Sequence, residues 1–254
     1  MNVPNIMGMT QIPPKEVISN VAKPPDKVIE MVALQTELSK LLGKNLVVLS
    51  TLGSSCIVFK DRKNTIAVKA SKAAEGNGWG IVDNPNYEEI VEEMEADSSP
   101  GNIAKCQAEL VGLVEERKTQ MFQAFTREIS NLIRLSNVGA CVGYKSHMLP
   151  SKEQDRYVIE MELLAKQDIR TAPLYLVKSE IRRLAEACVE LNLLPADVEI
   201  VYNGKSIRFL DVGAFSKKEG QSVEEVENLL INGYLAPDVA AKILPATSSS
   251  AKNN

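Results

Sequence analysis

The chain has 254 residues, of which 44% are hydrophobic, with a net charge of −4 and one histidine, His147. This length and apolar content predict one folded domain with an ample core. The acidic balance argues against general nucleic-acid binding, because that activity requires clustered Lys and Arg. A single histidine argues against a Ser-His-Asp triad and against a metal site built from several histidines.

The four cysteines are widely spaced and form no Cys-x-x-Cys pair, which favours reduced, buried thiols over a zinc site or a disulfide framework. No apolar run is long enough to predict a membrane span, and the N-terminus lacks the pattern of a Sec-type signal. We therefore expect a soluble monomer in a reducing compartment, with no membrane partner. Residues 1–25 carry two proline pairs and no apolar period, so they predict a flexible leader, and 245–254 predict a disordered tail.

The first predicted elements are one helix and three strands. Asp26 is a candidate N-cap, and apolar residues then recur at helical spacing until Gly43. Strands are predicted at about 46–51, 55–60 and 65–70, with a turn at Gly53–Ser55. Residues 73–117 differ, because the segment from Asp83 to Asp97 carries seven acidic residues and no Lys or Arg. We interpret 73–117 as an acidic, partly helical surface insertion, with a solvated face favoured over a binding face.

The helix predicted at about 118–136 has one unexpected residue on its apolar face. Its seam steps by four and three positions through Met121, Phe125, Glu128, Leu132 and Leu135. Glu128 therefore faces the predicted core, where a carboxylate is costly unless a cation meets it.

The remaining elements alternate strands and helices. Strands are predicted in 141–149 and 156–163, and a helix at about 175–193. The segment 198–211 predicts a hairpin, with Asn203-Gly204 as a type I′ turn. Ser222 and Glu225 predict a capping box for a helix that Gly233 ends, and Pro237 begins a last short helix.

Three features of this order carry chemistry. Lys69 ends an apolar strand and could simply reach solvent, but the seam carboxylate Glu128 on a later helix lacks a cation. A lysine held by that glutamate would be oriented towards an anion such as a phosphate. The turn of Gly53, Ser54 and Ser55 could place backbone N–H groups over phosphates, although an ordinary hairpin turn has the same composition.

Asp197 and Asp211 lie at the two ends of the predicted hairpin. Antiparallel strands of similar length return the chain to its start, so we expect these two carboxylates to be neighbours without a basic partner. Such a pair suits a divalent metal and proton acceptance better than a structural role.

This ordered series resembles the protein-kinase fold over about residues 46–215. IAVK at 66–69 resembles the nucleotide-lysine strand, and REISNLIRL at 127–135 the helix that supplies its glutamate. LLPAD, ending at Asp197, stands where kinases have H-R-D, and DVG, beginning at Asp211, stands for D-F-G. YVIEMELL resembles the strand that leads into the hinge between the lobes.

The resemblance implies an α+β, two-lobed fold with an antiparallel N-lobe sheet and a truncated helical C-lobe. The kinase-like domain would span 26–244, with an N-lobe at 26–163 and a C-lobe at 164–244. It implies ATP and Mg²⁺ as cofactors. Met161 would be the gatekeeper, Glu162–Leu164 would lie at the adenine edge with Glu162 and Leu164 binding the nucleotide, and Gly53–Ser55 would cover the phosphates. Lys69, oriented by Glu128, would contact the phosphates. Asp211 would bind the metal, and Asp197 would accept or orient the substrate hydroxyl.

The departures from the family pattern also carry information. The His and Arg of H-R-D are absent, and the position of the usual second metal ligand is Tyr202. Glu199 is a candidate substitute ligand, with a solvent-facing carboxylate at a strand start as the alternative. The short C-lobe, the lost regulatory Arg and the leader resemble the minimal kinases that pathogenic bacteria inject through type III secretion into the host cytoplasm. One subgroup of those kinases phosphorylates a host ATP-dependent chaperone.

The sequence therefore predicts a protein kinase, of the Ser/Thr type rather than the Tyr type, acting on a host protein. Three alternatives remain open. They are a pseudokinase that binds a partner, a nucleotidyl or small-molecule phosphotransferase on the same fold, and a plain interaction domain.

Overall fold

The computed structural model describes residues 27–50, 56–71, 85–150 and 156–244. These residues form helices α1 (Lys27–Leu42), α2 (Pro85–Ala96), α3 (Pro100–Asn137), α4 (Leu174–Glu190), α5 (Val223–Tyr234) and α6 (Pro237–Ile243), with a 3₁₀ turn at Ile169–Thr171. The strands are β1 (Leu46–Ser50), β2 (Cys56–Asp61), β3 (Ile66–Ser71), β4 (Tyr144–Met148), β5 (Val158–Glu162), β6 (Leu193–Leu194), β7 (Ile200–Tyr202), β8 (Ile207–Phe209) and β9 (Ser216–Lys217).

Five strands form one antiparallel sheet in the order β1-β2-β3-β5-β4, and the other four form two small ladders. Helices beside an antiparallel sheet agree with the predicted α+β class. The finer expectation of a kinase-like, two-lobed arrangement stays a prediction, as do the lobe boundaries at 26–163 and 164–244. The predicted leader, tail and Gly53–Ser55 turn lie outside the described residues.

The chain divides into two compact units. The first draws on Met1–Phe59, Ala70–Met121 and Leu149–Arg156, and the second on Lys60–Lys69, Phe122–Met148 and Tyr157–Asn254.

In the first unit, α2 and the start of α3 bury a small apolar cluster formed by Tyr87, Ile90, Met94, Cys106 and Leu113. Helix α3 begins at Pro100, so the helix start predicted near 118 was wrong. The apolar spacing that buries Cys106 and Leu113 already runs through 103–113, and proline is well tolerated in a first helical turn. The acidic insertion is thus helical over α2 and the first part of α3.

The second unit has a core built from the other half of α3 and from α4 and α5. The predicted seam is largely confirmed, because Phe125, Glu128, Leu132 and Leu135 are all buried. Helix α4 adds its predicted apolar stripe to this core, with Val177, Ile181, Leu184 and Cys188 buried. The unit therefore places Glu128 among packed apolar side chains.

The 198–211 segment forms the predicted hairpin, with Tyr202 opposite Ile207, but its turn is not of type I′. Only Gly204 has a positive φ, of 90°, whereas a type I′ turn requires this at both central residues. The Asn203 side chain instead accepts hydrogen bonds from the N–H groups of Lys205 and Ser206 at 3.0 and 2.9 Å, so a four-residue loop closes the hairpin.

All four cysteines are buried, as predicted from their spacing. Burial raises the pKa of the Cys141 and Cys188 thiols to about 12, so both are neutral near pH 7. Among the described residues, none of the helices has the length and apolar content needed to cross a membrane.

The predicted capping box at the start of α5 is present. Ser222 Oγ accepts from Glu225 N–H at 3.2 Å, and the Glu225 carboxylate accepts from Ser222 N–H at 2.8 Å. We expect Ser222→Ala to lower the free energy of unfolding by about 1 kcal/mol, because the cap satisfies free N–H groups of the first turn. Urea unfolding measures this, with Ser179→Ala as control, since the exposed Ser179 hydroxyl donates within α4 to Leu176 O and caps nothing. Equal loss in both variants would contradict the prediction.

Candidate functional site

The site is centred on an ion pair between Lys69 and Glu128 in the second unit. Lys69 lies in β3, where Ala67 and Val68 are buried, so the strand holds the lysine stem in apolar surroundings. Its Nζ lies 2.7 Å from Glu128 Oε1, and the two side chains are only 17% and 11% exposed. The contact expected from the sequence, between a strand-end lysine and a seam carboxylate, is therefore present.

Burial of Glu128 disfavours the ionised form of its carboxyl group. Burial raises its pKa above the ordinary value, the Lys69 ammonium opposes that rise, and the charge of Asp211 adds to it. Without Lys69 an ionised carboxylate here would be unpaired in the core, which is strongly unfavourable, so the group would bind a proton more readily. The pair is thus mutually dependent: Glu128 orients Lys69, and the Lys69 ammonium favours the ionised form of Glu128.

Asp211 lies beside this pair and is far more exposed. Its Oδ2 is 3.7 Å from Lys69 Nζ, and its side chain is 53% exposed. Its Oδ1 accepts a hydrogen bond from Gly213 N–H at 3.2 Å. The expectation that Asp211 lacks a basic partner was wrong, because β3 and the end of the hairpin meet at Lys69. One ammonium therefore contacts a buried and an exposed carboxylate.

The segment that follows Asp211 is held by α3. Asn131 is buried, and its Nδ2 donates to the carbonyl oxygens of Val212 and Phe215, each at 3.1 Å. Phe215 packs edge-on against Phe209, with ring centroids 5.1 Å apart. Sequence reasoning missed Asn131, although a second polar residue three positions after Glu128, on the same helix face, was a visible signal.

Two ladders bring the connections that carry Asp197 and Asp211 alongside each other. Asp197 lies between β6 and β7, and Asp211 between β8 and β9. Strands β6 and β9 are antiparallel neighbours, as are β7 and β8, and Leu210 N–H donates to Glu199 O at 2.9 Å. This pairing flanks both connections with neighbouring strands, and the expectation that the Asp197 and Asp211 carboxylates themselves are neighbours stays a prediction. Asp197 is exposed and has a left-handed φ of 45°.

Glu199 is engaged elsewhere. Both of its carboxylate oxygens accept hydrogen bonds from Lys166 Nζ, at 2.7 and 2.9 Å. Tyr202, which stands where the protein-kinase pattern has its second metal ligand, is buried in β7. Within the described part of the chain, no group of three or more His, Cys, Asp or Glu side chains could hold a metal ion. Mg²⁺ commonly binds through one or two carboxylates together with substrate phosphates, and the exposed Asp211 carboxylate fits that mode.

The candidate adenine edge lies at the end of β5. Met161 is buried, and the N–H groups of Glu162 and Leu163 donate to Gly143 O and Thr65 O at 2.7 and 3.2 Å. The Glu162 carboxylate accepts from Gly143 N–H at 3.1 Å and from Arg208 Nη1 at 3.0 Å. Among the described residues, no hydrogen bond uses the backbone N–H or C=O of Leu164. The backbone N–H and C=O of Leu164 are therefore available to a ligand at this edge.

Gly213 lies close enough to Glu128 that a β-carbon would crowd the carboxylate. A Cβ at Gly213 would lie 3.3 Å from Glu128 Oε2 and 3.5 Å from Asp211 Oδ1, whereas one at Gly112 in α3 would meet nothing within 4 Å. We expect Gly213→Ala to lower the free energy of unfolding by about 1–3 kcal/mol, since it crowds a packed site. Gly112→Ala, the control, should raise it by about 0.5–1 kcal/mol through helix propensity. Urea unfolding measures both, and a change of the same sign in the two variants would rule out the crowding.

The raised pKa of Glu128 predicts a specific dependence of stability on pH. The folded state binds a proton at Glu128 more tightly than the unfolded state does, so the slope of unfolding free energy with pH is negative for this group. Its contribution is complete below the ordinary value of 4.5 and is lost as the pH rises through the raised folded value. The difference between wild type and Glu128→Gln should therefore fall as the pH rises above about 4.5. Urea unfolding at several pH values checks this, and a difference that rises with pH would contradict it.

Comparisons with known proteins add no assignment to this geometry. No protein-family model matches the sequence, and no curated protein matches it. The interpretation of the site therefore depends on its own residues, above all on Lys69, Glu128 and Asp211.

Proposed function

We propose that the protein transfers the γ-phosphoryl group of ATP to a hydroxyl of a protein substrate, with Ser or Thr as the acceptor. The observation that carries this proposal is the arrangement around Lys69, whose Nζ lies 2.7 Å from the buried Glu128 and 3.7 Å from the exposed Asp211. A purely structural ion pair has no need of a third, solvent-facing carboxylate. An oriented ammonium next to an exposed carboxylate suits a phosphate chain and its counter-ion.

The protein residues would act by position and charge. Lys69, oriented by Glu128, would contact the α- and β-phosphates, and the low exposure of the pair would strengthen that attraction. Asp197, exposed on the neighbouring connection, would orient the acceptor hydroxyl and take its proton as the oxygen attacks phosphorus. The bond from the γ-phosphorus to the bridging oxygen breaks, and ADP leaves with that oxygen.

Asp211 would hold Mg²⁺ together with the phosphate oxygens. The ion, when bound, neutralises charge that develops on the phosphates. Glu199 would join this site only by giving up Lys166, so Asp211 is the metal ligand that the geometry supports best.

A second candidate is nucleotide binding without transfer, as in a pseudokinase that recruits a partner. The observation favouring it is that Glu199, the candidate second metal ligand, is engaged by Lys166, while the position of the usual ligand holds the buried Tyr202. The nucleotidyl-transferase alternative would use the same Lys69 and Asp211. The proposed secretion into a host and action on a host chaperone depend on the family resemblance alone and stay predictions.

Labelled ATP separates these candidates. Incubated with Mg²⁺, ATP and a heat-treated eukaryotic lysate, the wild type should transfer label from γ-labelled ATP to protein. Lys69→Met and Asp211→Asn should each lower the rate by roughly 10²- to 10³-fold, because each removes charge stabilisation at the reacting centre. Lys105→Met is the matched control, since Lys105 forms an ion pair of similar length with Glu93, at 2.6 Å, in the first unit. It should transfer at the wild-type rate.

Each result has a distinct meaning. Transfer from α-labelled ATP would replace the kinase with a nucleotidyl transferase. Absence of transfer from either label, together with a rise in melting temperature in Mg-ATP, would support the binding-only candidate. Absence of both transfer and thermal shift would overturn the enzyme and the nucleotide-binding proposals together.

A further inference from the structure

One buried amide links the helix of Glu128 to the segment of Asp211. Asn131 lies three residues after Glu128 in α3, so both side chains leave the same helix face. Its Nδ2 donates to Val212 O and Phe215 O, each at 3.1 Å, across 81 and 84 positions of sequence. The two donors of one side-chain amide thus hold both ends of the segment 212–215.

That segment has little regular structure of its own. It lies between β8 and β9, and its own backbone supplies a weak turn in which Phe215 N–H donates to Val212 O at 3.3 Å. Phe215 is buried against Phe209, whereas Asp211 remains half exposed. The buried end of the segment is therefore fixed, and hydrogen bonds from Asn131 tie it to α3.

The same helix face reaches the site at a second point. Gly213 lies so close to Glu128 that a Cβ there would stand 3.3 Å from the carboxylate oxygen. A shift of the segment away from α3 would move Asp211 relative to Lys69, because Gly213 N–H also donates to Asp211 Oδ1 at 3.2 Å. The position of the exposed carboxylate is thus coupled to the contact with α3.

We infer that Asn131 is a positioning residue that holds Asp211 beside Lys69, in the arrangement proposed to bind the metal. This inference rests on the proposed phosphoryl transfer and deepens it, since it names how the site is kept assembled. Asn131 would act through Asp211 and would not contact the nucleotide. Its loss should weaken the use of Mg²⁺ more than the binding of ATP.

The test uses Asn131→Leu, which keeps much of the side-chain volume but cannot donate, with the smaller Asn131→Ala as a second variant. Asn102→Leu is the matched control, because Asn102 Nδ2 also bridges two carbonyl oxygens, those of Glu93 and Asp97, at 3.1 and 2.9 Å in the first unit. In the Asn131 variants, the Mg²⁺ concentration that gives half-maximal γ-phosphoryl transfer should rise about tenfold, since two buried hydrogen bonds are lost. The KM for ATP at saturating Mg²⁺ should change less than about threefold, and backbone amide hydrogen exchange should accelerate at residues 212–215.

The outcomes separate this inference from the proposed function. An active wild type with unchanged Mg²⁺ dependence in folded Asn131 variants would overturn the positioning role alone. The same would follow if Asn102→Leu changed the Mg²⁺ dependence equally, or if both Asn131 variants unfolded, because Asn131 would then serve only the fold. A wild type that transfers no phosphoryl group at any Mg²⁺ concentration would overturn the proposed function and this role with it.

Discussion

A carboxylate inside an apolar core is stable only if a cation reaches it, and that requirement organises the second unit. Glu128 lies on the packed face of α3, so β3 must present Lys69 at 2.7 Å. Once the lysine is there, its charge attracts Asp211 from the end of the β7–β8 hairpin, at 3.7 Å. The segment after Asp211 then packs so close to α3 that a β-carbon at position 213 would stand 3.3 Å from Glu128 Oε2. The site is thus a sequence of dependent contacts.

This arrangement separates two kinds of carboxylate around one ammonium. Glu128 is buried and fixed, which makes it suited to orienting Lys69. Asp211 is half exposed and keeps one side towards solvent, which makes it suited to a ligand that arrives and leaves. Because burial raises the pKa of Glu128 and the charge of Asp211 adds to that rise, a bound cation at Asp211 should also favour the ionised form of Glu128. Ligand charge and lysine orientation are therefore linked.

The centre of the candidate site could be predicted from the sequence because Glu128 is a charged residue on an otherwise apolar helix face. Glu128 breaks an apolar seam with a period of 3.5 residues, and that conflict predicted its burial and its need for a cation, which the strand-end Lys69 then supplied. The capping box at Ser222 follows from short-range cap chemistry, and the hairpin follows from its two alternating strands, although its turn is not the predicted type I′. The role of Asn131 could not be derived in this way, because its partners Val212 and Phe215 are main-chain carbonyls, which any sequence supplies. The pairing of Lys166 with Glu199 was missed for a similar reason, since exposed charges choose partners by tertiary proximity.

The backbone of Asp197 has a consequence for how loss-of-function variants should be designed. Its φ of 45° lies in the left-handed region, which Asp and Asn enter more readily than most residues that carry a β-carbon. Alanine at this position would remove the carboxylate and add conformational strain at once, so a lost activity would have two causes. Asparagine keeps the tolerance for that conformation and removes only the negative charge. The choice of replacement residue therefore decides whether an experiment at Asp197 reports chemistry or backbone geometry.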